Sequence, residues 1–126
     1  MEIEIFTLCD YASDMNGKMV VVGTFDVIHS NVFPTQPPFA IALRLRFSEK
    51  EYGNHKVNIF LFDEEGKELA KVDGGLTVNK PNIGNHSSIN LAMNMSGKFD
   101  KPGKYSFELH VDGEFKSGLS FYVVKS

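Results

Sequence analysis

Between Lys104 and Val123 the side chains alternate in kind. Tyr105, Phe107, Leu109 and Val111 interleave with Ser106, Glu108, His110 and Asp112, and after Asp112-Gly113 the apolar series resumes at Leu119, Phe121 and Val123. A period of two belongs to an extended strand with one face buried, and Asp-Gly supplies the positive φ angles of a tight turn, so a β-hairpin is expected. Phe39, Ile41, Leu43, Leu45 and Phe47 alternate with Ala40, Ala42, Arg44, Arg46 and Ser48, which predicts a strand with one large apolar face and one small or basic face. Ile89, Leu91, Met93 and Met95 predict another.

Turn signals divide the rest. An apolar segment runs from about Ile3 to Cys9, and Asn16-Gly17 precedes a second, Met19 to Val22, that continues past Gly23 to about Ile28. A glycine inside a strand pattern marks a bulge or a close backbone approach. Prolines at 34, 37 and 38 cannot donate ladder hydrogen bonds, so Phe33 to Pro38 reads as a loop crossing between sheets. Lys56 to Phe62 and Lys67 to Val72 flank Asp63-Glu64-Glu65-Gly66, a second hairpin. From Asp73 to Ser88 the chain turns to Gly, Asn, Ser, His and Pro, which reads as a long mobile or functional loop. No segment keeps a helical period. The expectation is all-β: one domain over 1–126, a two-layer antiparallel β-sandwich of about eight strands, Ig-like in general shape. The chain has one Cys and no Trp, so the core pattern of antibody domains is missing.

The lysines are scattered and the net charge is −3, which argues against nucleic acid and anionic membrane as partners. Cys9 is the only cysteine, and Met1-Glu2-Ile3-Glu4-Ile5 carries carboxylates where a secretory signal needs positive charge. A cytoplasmic protein with a buried thiol is expected.

Candidate chemistry is sparse. Gly-Lys recurs at 17, 66, 97 and 103 without the Ser or Thr or the spacing of a phosphate loop, so these pairs read as turn exits. His29, His55, His86 and His110 show no metal-ligand spacing, and Asp63-Glu64-Glu65 reads as a solvated hairpin tip. His110 with Glu108 reads as an exposed pair before a general base. Cys9 and Asp10 point to opposite strand faces, and no serine lies in a nucleophile elbow. No catalytic residue, metal or cofactor is expected.

Two features point to binding. Arg44 and Arg46, the only arginines, share one face of one strand and could hold an anionic ligand or an acidic partner; the alternative is cross-strand pairing with acids such as Glu108 or Glu68. Ile59-Phe60-Leu61-Phe62 and Val20-Val21-Val22 are apolar on both sides, so each is either covered on both faces or an interface. Phe60, Phe62 and Tyr122 are the residues expected to mediate self-association as a symmetric homodimer.

Leu8-Cys9-Asp10-Tyr11-Ala12, Gly17-Lys18, Gly23-Thr24-Phe25-Asp26, Phe33-Pro34, Gly103-Lys104-Tyr105-Ser106-Phe107 and Val111-Asp112-Gly113 resemble, over nearly the whole chain, a bacterial family catalogued only as a domain of unknown function. The resemblance implies a bacterial β-sandwich and carries over no catalytic residue. The functional expectation is a non-enzymatic binding or assembly module that engages another protein, with a carbohydrate or small-ligand binder as the rival; Tyr11, Tyr52, Tyr105 and Tyr122 could stack sugar rings, although the chain has no Trp.

Overall fold

The computed structural model describes residues 1–126. Its strands are β1 (Glu2–Met15), β2 (Lys18–Thr24), β3 (Val27–Ser30), β4 (Pro38–Ser48), β5 (Gly53–Phe62), β6 (Glu68–Val78), β7 (His86–Ser96), β8 (Gly103–Val111) and β9 (Glu114–Lys125), with a single 3-10 turn at Glu49–Glu51. The architecture is an all-β sandwich of two sheets, ordered β2-β1-β4-β7 and β3-β9-β8-β5-β6. Two units follow the sheets: Met1–Phe25, Pro37–Asn54 and Thr77–Gly97 form one, and Asp26–Gln36, His55–Leu76 and Lys98–Ser126 the other.

In the four-stranded sheet β4 is central, and the large residues of its alternation, Phe39, Ile41, Leu43, Leu45 and Phe47, are all buried. Ala40 and Ala42 of the opposite face are buried too. β1 pairs with β4 only as far as Cys9, opposite Ala40, and beyond it continues with β2 as a hairpin turned at Asn16-Gly17, both at positive φ. Met19 and Val21 of this hairpin pack on Cys9, Ala12, Ala40 and Ala42. Small side chains on β4 therefore make room for a second layer of backbone. Burial pushes the Cys9 thiol up, and its Sγ lies 3.8 Å from the Ala40 carbonyl oxygen.

Gly23 serves the close approach its place in the strand predicts. Its φ is +66°, and a Cβ there would stand 2.5 Å from Asp10 Oδ2.

In the five-stranded sheet Val57, Ile59 and Leu61 of β5, Tyr105, Phe107, Leu109 and Val111 of β8, and Phe121 and Val123 of β9 are buried. Phe121 stacks on Phe107 (5.4 Å between centroids) and Tyr105 (5.9 Å), and Phe99 meets it edge-on at 5.8 Å. β3 joins β9 in parallel, Val27 opposite Tyr122.

Two boundaries differ from expectation. The segment from Met19 to Ile28 is two strands in different sheets, because the chain breaks at Phe25-Asp26 after β2 and resumes as β3. The segment from Asp73 to Ser88 is mostly strand: Asp73–Val78 completes β6 and His86 opens β7, leaving 79–85 as the loop. β6 is an edge strand exposed on both faces as far as Gly75, so nothing forces its side chains to alternate.

Candidate functional site

The residues of β5 and β8 that alternate with the buried set form the exposed face of the five-stranded sheet: Lys56, Asn58, Phe60 and Phe62 on β5, and Lys104, Ser106, Glu108 and His110 on β8. Register brings their rings together. Phe60 lies opposite Glu108 and Asn58 opposite His110, while a shift in the β8–β9 pairing after Leu109 sets Phe115 opposite His110. The result is a row across three strands: Phe62 stacks on Phe60 at 5.9 Å, Phe60 meets His110 edge-on at 4.8 Å, and His110 meets Phe115 edge-on at 5.7 Å.

Phe115 is 57% exposed, and Phe60 and Phe62 are half-buried. Gly118, three residues further along β9, lies beside the Phe115 ring, whose Cζ would be in ordinary contact, at 3.9 Å, with a Cβ there. Lys71 Nζ stands 5.3 Å from the Phe60 ring centre, a cation–π contact, and His110 Nε2 is 3.2 Å from Glu108 Oε1. Contiguous aromatic surface left in water favours a partner that covers it.

Beside the row, Lys56, Asn58, Lys71, Asp73, Gly74 and Gly75 line a cleft of about 480 Å³. Asn58 Nδ2 donates to Asp73 Oδ1, and Lys71 Nζ is 3.4 Å from the same carboxylate. At the end of the face, Asp112 of the β8–β9 turn accepts from Lys56 N–H at 3.0 Å and meets His55 Nδ1 at 2.6 Å. The His55 hydrogen bond, then that of Lys56, holds the Asp112 carboxyl below its usual range.

Phe60 and Phe62 thus belong to the row. Tyr122, 49% exposed, shares the face but is set off from Phe62 by Ser106 and Ser120, which pair between them. Arg44 and Arg46 project from β4, in the other sheet. Arg44 is engaged within the chain: Nη1 donates to Asn90 Oδ1 at 2.6 Å and to the Gly17 carbonyl at 3.3 Å, and Nε lies 3.5 Å from Glu4 Oε1. Its acid is Glu4 on the adjacent strand rather than Glu108 or Glu68, which the topology puts in the other sheet. Arg46 is exposed, between Glu2 and Ser88 in the ladder. Sequence reasoning missed Phe115 and Lys71. The Lys71 contact needs the β5–β6 pairing, and Phe115 reaches the row through a register shift that alternation does not reveal.

No helix is long and apolar enough to cross a membrane. No curated protein matches the chain. Residues 4–124 match a family of unknown function (DUF6941), and the chain belongs to that family.

Proposed function

We propose that the chain is a non-enzymatic binding module that engages another protein through the exposed face of the five-stranded sheet. The row Phe62–Phe60–His110–Phe115 carries this reading, since rigid aromatic rings fixed on a sheet give large contact area at small entropic cost. Lys56 and Lys104 share the face of the row, Lys71 is divided between the Phe60 ring and Asp73, and Glu108 is engaged with His110. The chemistry fits an apolar segment with acidic flanks. A cytoplasmic setting accords with the buried, unpaired Cys9. An Ig-like topology accords with the spatial orders β1-β4-β7 and β9-β8-β5-β6, which match A-B-E and G-F-C-C′ of that fold.

The test is a photo-crosslinker at position 115 in the source cell, followed by binding of the purified partner. A stoichiometric protein adduct lost in the Phe60→Ser, Phe62→Ser double variant is expected; an adduct unaffected by that variant sinks the reading. The rival, a sugar ligand, draws on the cleft beside Phe60, where Lys56, Lys71, Asn58 and Asp73 mix donors with an acceptor. A glycan-array signal abolished by Asn58→Ala, without a protein adduct, would favour it.

A further inference from the structure

We propose that two copies of the chain associate edge to edge through β6, across a two-fold axis at Val72. This goes beyond the partner reading and holds whether or not a protein covers the aromatic row. β6 ends its sheet, so one side of its backbone presents N–H and C=O groups to no neighbouring strand. Both of its faces are open: every residue from Glu68 to Gly75 is exposed, with Leu69 at 39% and Val72 at 40%. The other edges differ. β3 has four residues and β2 seven, and the side chains of β7 are mostly half-buried.

The sequence of β6 says what fits it. Antiparallel pairing about Val72 sets Lys71 opposite Asp73 of the second copy on both sides of the axis, Ala70 opposite Gly74 and Leu69 opposite Gly75. Opposite charges meet, and each bulkier side chain faces a glycine. Moving the axis by one residue puts Lys71 against Lys71 or Asp73 against Asp73. A two-fold axis through a residue suits either phase of an antiparallel ladder, so the backbone permits this register whichever way the Val72 amide points. Lys71 and Asp73 already meet within the strand at 3.4 Å, yet their side chains are 43% and 62% exposed, and a carboxylate accepts from more than one donor. The assembly is a sheet of twice the width, with both aromatic rows on one side.

Sedimentation of the full chain tests it, with circular dichroism to check that each variant is folded. The wild type is expected to sediment as a concentration-dependent dimer. Lys71→Asp and Asp73→Lys each oppose like charges twice in their own homodimer and should weaken association by about tenfold or more. An equimolar mixture of the two should recover a heterodimer, and a chain carrying both exchanges should recover the homodimer. A wild type that stays monomeric at high concentration overturns the proposal. So do single variants that dimerise like the wild type, or a mixture and a double exchange that recover nothing.

Discussion

Asn94 pairs with Ala12 as a strand backbone would: its Nδ2 donates to the Ala12 carbonyl at 2.9 Å and its Oδ1 accepts the Ala12 N–H at 3.4 Å. A side-chain amide carries the same donor and acceptor as a peptide group, so Asn94 satisfies β1 where that strand has parted from β4. Ala12 is 1% exposed, and water cannot replace the amide there. Asn94→Ala is expected to lower stability by about 1–3 kcal/mol. Asn94→Asp, which keeps an acceptor but loses the donor, should also destabilise; urea unfolding measures both.

Arg44 and Arg46 share a face but should respond differently to mutation. Arg44 ties the Gly17 turn, Asn90 and Glu4 together, while Arg46 is exposed. Asn90 in turn donates to Asp14 Oδ1 at 2.8 Å, so the hairpin tip is held through both side chains. Arg44→Ala should cost about 1–2 kcal/mol and open the hairpin to cleavage after Lys18, whereas Arg46→Ala should stay within about 0.5 kcal/mol. Equal effects in urea unfolding and limited proteolysis would contradict this.

Gly23→Ala combines two costs, a positive φ of 66° and a Cβ placed 2.5 Å from Asp10 Oδ2. We expect a loss of at least about 1–2 kcal/mol. Asp10→Ala in the same chain should restore the steric part and leave the backbone part, a coupling that a double-mutant cycle reads directly.

Acid should weaken the fold through specific carboxylates. Glu51 is held at about 2, first by the Ser48 N–H at 3.0 Å and then by the Met1 amine at 2.9 Å. A carboxyl whose folded value is lowered stabilises fully above its unfolded value, about 4, and loses that contribution as pH falls through the folded value. Glu51→Gln should therefore lower stability uniformly above about pH 5, and the gap to wild type should narrow below that and close near 2. Asp112→Asn should show the same sign with a smaller gap, because that carboxyl is 51% exposed and screened by solvent. Denaturant titrations across pH check both.

Most of the β-framework was legible because burial enforces alternation. Phe39 to Phe47 and Tyr105 to Val111 each line a buried face and read as strands without ambiguity. β6 was half-hidden for the converse reason: with neither face covered, Asp73-Gly74-Gly75 looks like a loop although the backbone is extended. Alanines 40 and 42 showed a small-residue face, but the hairpin that covers it is a tertiary event with no local signature. Phe60 and Phe62 stood out because apolar residues on both sides of a strand break the pattern. His110 reads as polar until register sets it between two phenylalanine rings.

The parallel pairing of β3 with β9 links Val27–Ser30 to Tyr122–Lys125. During synthesis this early strand has no partner to join until Tyr122–Lys125 have left the ribosome, so the five-stranded sheet closes only once β9 has been made. The nascent chain must hold Ile28, buried to 7% exposure in the finished protein, in water or on a chaperone until then.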